Sequence, residues 1–299
     1  TLYLDCGMGA AGDMLTAALL ELVHDKAEFV DKLNHVGIPG VEFICETSVK
    51  CGIKGTHITV KAGGEEESEV LHSHENGQHL HHDHVHSHDE EHTHHHSSMH
   101  AIEHIVENLN ASEKVKNDIL AVYSIIAQAE SHVHGVPVSQ IHFHEVGTMD
   151  AVADITAVCM LMEYLSAENV VVSPVNTGSG QVKCAHGILP VPAPATAHIL
   201  KGIPFYGEEI TRELSTPTGA ALLKHFASDF GNMPVMKVSA IGSGMGKKDF
   251  ESANCVRALL GEADKECDTI VELVCNLDDM TAEAIGFAQE RFFAAGVVE

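Results

Sequence analysis

Tryptophan is missing from this sequence and aromatic residues make up only 5% of it, so a core has to be built mainly from aliphatic side chains. Basic residues are scarce too: 17 Lys and Arg stand against 43 Asp and Glu, for a net charge of −26. That balance repels nucleic acid and anionic membrane surfaces and favours cations, and an anionic ligand then needs a local basic or backbone-amide site. No apolar run reaches the length of a membrane span. The chain opens without a basic segment and a long apolar run, since Thr1 leads almost directly into an apolar strand, and a cytoplasmic protein is expected. The eight cysteines, Cys6, Cys45, Cys51, Cys159, Cys184, Cys255, Cys267 and Cys275, form no C-x-x-C pair and no zinc-finger spacing. Reduced thiols, several of them buried, are therefore expected in place of a disulfide framework.

What is present describes a globular chain of 299 residues, 44% hydrophobic and 20% charged, long enough for about two domains. Strand-like and helix-like segments alternate, which predicts an α/β fold, with mixed α+β as the variant. Residues 1–64 and 101–261 read as one main domain, 262–268 as a polar linker and 269–299 as the beginning of a second domain. Between 65 and 100 the composition turns acidic and histidine-rich, with runs such as His81-His82-Asp83-His84. Such a segment has too little apolar area to offset its ordering entropy, so a mobile insertion that collects transition-metal ions is expected.

The stretch that concentrates chemistry is Ile141 to Asp154, IHFHEVGTMDAVAD. As a strand, Ile141 to Val146 directs His142 and His144 to one face and Ile141 and Phe143 to the core. Gly147 ends it, Thr148 can cap a helix, and Val152, Ile155, Cys159, Met162 and Leu165 have helical spacing. Asp150 and Asp154 fall one turn apart on that helix. Two imidazoles with Glu145, Asp150 and Asp154 form a donor set suited to a borderline divalent ion such as nickel or zinc.

Further candidates lie on either side. Leu2 to Cys6 reads as a strand running through GMGAAG into a helix for which Asp13 is placed as cap. Gly7, Gly9 and Gly12 spell G-x-G-x-x-G, a weak dinucleotide signal without the acidic residue that ends a second strand, and Asp5 and Asp13 bracket the loop. His186 sits in a proline-restricted extended stretch, where a structural histidine is as good a reading as a site residue. Thr216-Pro217-Thr218-Gly219 fits a helix start that either binds phosphate or merely caps. Ala240 to Phe250, AIGSGMGKKDF, joins three glycines to Lys247 and Lys248; it is no Walker A loop, and it is either a glycine-rich loop whose amides and lysine cradle a phosphate or a mere flexible turn. Asp278 and Asp279 stand at another helix entry, where they either bind magnesium or are simply hydrated.

Taken in order, LYLDC with GAAGDM, HFHEVGTMDAVADI, VSPVNTGSGQV, AHGILPVPAPAT, STPTGAAL, AIGSGMGKKDF and NLDDMTAE resemble the family of nickel-insertion proteins that complete the nickel-pincer nucleotide cofactor of lactate racemase. The resemblance covers nearly the whole chain outside the histidine-rich segment. It implies delivery of Ni(II) to pyridinium-3,5-bisthiocarboxylic acid mononucleotide, forming one carbon–nickel and two sulfur–nickel bonds with CTP consumed alongside Mg2+ or Mn2+. A lactate-racemase-type apo-enzyme is the implied recipient, and a homo-oligomer is expected. The family's CTP site lies in its C-terminal domain, of which only the first strand and helix are expected here, as in a truncated product. The opening departs from the family's D-C-F-S-G, Gly7 and Met8 replacing Phe and Ser, which makes the dinucleotide fingerprint an accident of substitution. On this reading His142, His144, Asp154, Asp5, Asp13 and His186 are the metal candidates. Glu145 and Asp150 are the acid/base candidates, with Glu145 able to take the proton lost from the pyridinium carbon. Gly9, Gly12, Lys247, Lys248, Thr216 and Thr218 are the phosphate-holding candidates. A non-enzymatic nickel or zinc buffer is the rival reading.

Overall fold

A computed structural model describes residues 1–63, 65–66, 97–143, 148–184, 187–208, 210–263, 274 and 278–296. The histidine-rich run from 67 to 96, and with it most of the expected insertion, lies outside the described residues. Thr1–Ala263 forms one compact unit and Asp264–Glu299 another.

The first unit is mixed α/β. Its elements in chain order are β1 Leu2–Asp5, α1 Gly12–Leu20, α2 Lys26–Asn34, β2 Val41–Lys50, β3 Ile53–Ala62, β4 Glu65–Glu66, β5 Ser97–Ser98, α3 Met99–Glu107 and α4 Glu113–His134. Next come β6 His142–Phe143, α5 Met149–Leu165, β7 Val170–Val172, β8 Val175–Asn176, β9 Gln181–Cys184, β10 Gly187–Pro190, α6 Pro194–Ile199, β11 Phe205–Tyr206, α7 Pro217–Phe226, β12 Asp229–Phe230, β13 Met236–Met245 and β14 Cys255–Ala263. An eight-stranded sheet runs in the order β12-β7-β1-β14-β13-β3-β2, with β4 added on β3. β12, β7 and β1 are parallel, whereas β14 is antiparallel to both β1 and β13. The sheet is mixed because the chain returns through hairpins at β2–β3 and β13–β14 and through helical crossovers elsewhere.

Alternation along the strands decides which face is covered. Leu2 and Leu4 of β1 and Val256 and Ala258 of β14 are buried, while the register partners Asp5 and Arg257 are more open and Ile241 is 61% exposed. Helices α1 and α5 pack on β3, with α1 also against β13 and β14, and α4 packs on α5, α6 and α7. α5 is apolar nearly all round, and Ala151 through Met162 are buried without interruption, as befits a helix enclosed between layers. Gly242 and Gly244 let α1 lie directly on β13: a Cβ would fall 2.1 Å from the Ala18 carbonyl oxygen and 1.9 Å from that of Met14. The glycine-rich stretch expected to be a loop is thus strand as far as Met245, and only Gly246 onward turns.

Sequence-level capping is realised at three helices: Ser112, Thr148 and Thr216 each accept a backbone N–H three residues on. Asp13 differs from expectation. α1 begins two residues earlier, Ala11 is its N-cap without a side-chain bond, and Asp13 lies inside the first turn. At the open edge of the sheet the Asn34 side chain accepts from Phe43 N–H (2.7 Å) and donates to its carbonyl (3.1 Å), so a side-chain amide occupies groups that would otherwise pair with another strand. In the second unit, Thr281 caps α8, Ala282–Ala294.

Candidate functional site

The site is assembled where α1, α5 and α7 begin. Ala10 N–H contacts both the Leu214 carbonyl and Ser215 Oγ at 3.1 Å, and Thr216 N–H donates back to the Ala10 carbonyl at 3.0 Å. Thr216 Oγ1 accepts from Gly219 N–H at 3.1 Å and shares a 2.9 Å hydrogen bond with Thr218 Oγ1. Gly9 and Gly219 make this junction possible: a Cβ on either would stand 2.0 Å and 2.2 Å from the carbonyl oxygens of Leu214 and Ala10. Gly9 also has φ +85°, which favours glycine. These contacts lock the starts of α1 and α7 together, and the Thr216 and Ser215 hydroxyls are engaged within the protein. Asp5 is held in the same neighbourhood, accepting from Gly7 N–H at 3.1 Å and paired with Arg257.

α1 and α5 meet just as closely. A Cβ on Gly12 would stand 2.5 Å from Asp154 Oδ2, and the backbone of Asp13 lies close enough to the Asp154 carboxylate to favour its charge. Asp154 is 8% exposed, and its Oδ1 has no hydrogen-bond partner among the described residues. Asp13 Oδ1 accepts from Met14 N–H at 2.8 Å; the residue keeps an edge open while its carboxylate is packed round by protein. Burial pushes Asp154 well above the ordinary carboxylate range, reinforced by the charges of Asp13 and Asp150 and opposed by Lys247. Burial likewise raises Asp13, against its hydrogen bond from Met14 and the charges of Lys247 and His57. Two desolvated carboxylates side by side favour whatever brings positive charge: a proton, an ammonium or a metal ion.

Basic residues reach this end from β3 and from the turn between β13 and β14. His57 Nδ1 donates to the Met245 carbonyl at 2.7 Å. Lys50 Nζ donates to the carbonyls of Lys247 (3.2 Å) and Lys248 (3.4 Å), and Asn254 Nδ2 to that of Lys248 (2.9 Å). Under the carboxylates lies Tyr123 of α4, wholly buried, whose hydroxyl finds no partner among the described residues and whose ionisation is suppressed by burial and then by the charge of Asp154. Its ring packs on Phe143 with centroids 5.8 Å apart, which brings β6 over the same spot.

The model of the family described as "Nickel insertion protein" matches residues 2–299. A pyridinium-3,5-bisthiocarboxylic acid mononucleotide nickel insertion protein from Clostridium kluyveri is 38% identical over 302 aligned positions, covering 100% of this chain and 71% of its own length. Proteins of the same name from Clostridium acetobutylicum (38%, covering 100% of this chain and 73% of the relative) and Staphylococcus epidermidis (34%, 100% and 69%) are similar along their aligned lengths. The chain belongs to the nickel insertion protein family. No solved structure matches it.

In this member of the nickel insertion protein family, the described candidates fall into groups. The charges of Asp13, Asp150 and Lys247 all act on Asp154, while Gly9, Gly12, Thr216 and Thr218 form the scaffold beside them and Asp5 is tied to Arg257. His144, Glu145, His186 and the imidazole of His142 lie outside the described residues. Among the described residues no three His, Cys, Asp or Glu side chains converge tightly enough to hold a metal ion. Two neighbours, His57 and Tyr123, escaped the sequence reading: neither belongs to a motif, and only tertiary packing places it near the carboxylates. The described cysteines are all free thiols, with burial raising the pKa of Cys6 and Cys159. Among the described residues no helix is long and apolar enough to cross a membrane.

Proposed function

We propose that this chain inserts nickel into pyridinium-3,5-bisthiocarboxylic acid mononucleotide, as the names of its relatives state for them. The observation that carries the reading is family similarity along residues 2–299. The reaction exchanges a proton on the pyridinium carbon for Ni(II), with two sulfur–nickel bonds completing the pincer. His142 and His144 offer imidazole to the metal, and Asp13 and Asp154 offer hard oxygen, with Asp5 and His186 as further donors. Such N/O ligands bind nickel without outcompeting the sulfur atoms that must receive it. Glu145 takes the proton released from carbon, and Asp150 is the second acid/base candidate. Lys248 and the Gly246–Phe250 turn hold the mononucleotide phosphate, with Lys247 nearby and the scaffold of Gly9, Gly12, Thr216 and Thr218 fixing the carboxylates opposite.

The class is thus a chelatase or lyase that forms a carbon–nickel bond. CTP with Mg2+ or Mn2+ is its energy source, handled by the domain to which Asp264–Glu299 belongs, and a lactate-racemase-type apo-enzyme receives the product in the cytoplasm. Incubating the chain with the mononucleotide, Ni(II), CTP and Mg2+ and following the product by mass spectrometry tests this. The mass should rise by one nickel less the displaced hydrogens, and His142→Ala/His144→Ala should abolish the gain. Product formation unaffected by the double substitution would remove the imidazoles from the mechanism; no product from stoichiometric chain, with CTP present and equally with a separately supplied C-terminal domain of a relative, would remove the function, whereas product only in the latter case would place CTP use outside this chain.

A further inference from the structure

The β2–β3 hairpin ends in a strained two-residue connection whose side chains grip a distant part of the molecule. Lys50 pairs with Ile53 across it, and the two linking residues, Cys51 and Gly52, have φ of +48° and +80°. Positive φ at both positions is the pattern of a type I′ turn, in which Asn, Asp or Gly fills the first position with least strain. A cysteine held there points to contacts that compensate it. Those contacts fall on the β13–β14 turn. Cys51 Sγ donates to the Glu251 carbonyl at 3.2 Å. Beside it, Lys50 Nζ donates to the carbonyls of Lys247 at 3.2 Å and Lys248 at 3.4 Å, and to Asp249 Oδ1. The Lys50 side chain is only 11% exposed, so its ammonium has exchanged most of its water for these oxygens. Asn254 Nδ2 adds a second bond to the Lys248 carbonyl at 2.9 Å, and His57 holds that of Met245 at 2.7 Å.

Where the carbonyls point decides where the amides point. C=O and N–H lie on opposite sides of a trans peptide, so drawing the Lys247 and Lys248 oxygens onto Lys50 turns the N–H groups of Lys248 and Asp249 the other way. Two consecutive amides on one side of a turn form the concavity that backbones use for anions, and Lys247 and Asp249 on either side of it are exposed. Left to itself, the turn is free to direct two carbonyl oxygens and the Asp249 carboxylate at a phosphate, which they repel. Resting on the reading that the Gly246–Phe250 turn holds the mononucleotide phosphate, we infer that Lys50 is the positioning residue for that phosphate. It does not touch the substrate; it fastens the turn with its oxygens inward and its amides outward.

Calorimetric titration of the full chain with the mononucleotide, and with the same compound lacking its phosphate, separates phosphate recognition from folding. Lys50→Met should weaken mononucleotide binding by roughly tenfold, the order of one hydrogen bond to a charged group, and leave the nucleoside within about twofold of wild type. Lys50→Arg keeps a charged donor for the same oxygens and should hold the mononucleotide within about threefold. Lys50→Met/Asp249→Asn removes the unbalanced carboxylate without refastening the carbonyls, and should stay as weak as Lys50→Met. The inference is overturned if Lys50→Met binds the mononucleotide as wild type, or if Lys50→Met and Lys50→Arg each weaken nucleotide and nucleoside alike. It is overturned too if Asp249→Asn restores affinity, because the ammonium then only neutralises a charge. Lys248→Met reports on the underlying reading. A loss there confined to the mononucleotide, with none in Lys50→Met, keeps the phosphate at the turn and removes Lys50, whereas equal affinity of wild type for nucleotide and nucleoside removes both.

Discussion

Gly244 shows how much of this molecule is decided by single atoms. The Met14 carbonyl lies where its Cβ would be, so Gly244→Ala must push α1 off β13, and α1 carries Asp13. The expected cost is at least about 2–3 kcal/mol, read as a lower urea midpoint with an unchanged slope. Asp154 predicts the opposite sign. Burial raises Asp13 and Asp154, so the native chain holds protons that the unfolded chain releases. Their contribution to stability is complete below the unfolded carboxylate pKa of about 4 and is lost as pH rises through the elevated native values. Asp154→Asn cannot ionise and has nearly the same shape. Without metal, the variant should gain about 1–3 kcal/mol over wild type at neutral pH and nothing near pH 4, measured by thermal melts across that range. An equal offset at every pH would mean that the carboxylate ionises no more readily in the unfolded chain.

At the scale of elements, helices were the most legible part of the sequence because they announce themselves locally. Ser112, Thr148 and Thr216 each carry the cap chemistry that the structure uses, and the apolar spacing of α4 is also its buried face. Strand pairing is a long-range property, and no local signal disclosed that β14 would lie between β1 and β13 or that Gly242 and Gly244 serve packing. The same limit hid the candidate site. Asp13 and Asp154 could be named one at a time, but their meeting depends on a helix crossing at Gly12, and His57 reaches them from a strand with no motif of its own. Thr148 tests whether a cap also serves the site. Its Oγ1 accepts from Ala151 N–H at 3.4 Å at the start of the helix that carries Asp150 and Asp154. Thr148→Ala should cost about 1 kcal/mol in urea unfolding, and Thr148→Ser should restore most of it. Failure of serine to restore stability would shift the role from the hydroxyl to the methyl group packed beside it.

For the molecule as a whole, charge and histidine content pose one question, namely where nickel rests. A chain of net charge −26 with 24 histidines attracts divalent ions over its whole surface, and more than half of those histidines lie between 65 and 100. Weak capture of many ions and tight holding of one demand different architecture. The first needs only exposed imidazoles, the second a fixed donor set, to which Asp13 and Asp154 are proposed to contribute. Replacing the histidines from His72 to His96 with glutamine keeps the chain length and, near neutral pH, nearly the same net charge, so it removes donors without altering electrostatic attraction. Calorimetry should then lose its numerous weak events and retain one tight site, still sensitive to Asp13→Asn/Asp154→Asn, with product formation slowed only when nickel is limiting. Should the tight site disappear with those histidines, the metal rests in that segment, and the buried carboxylates become a feature of the α1–α5 crossing with no part in holding nickel.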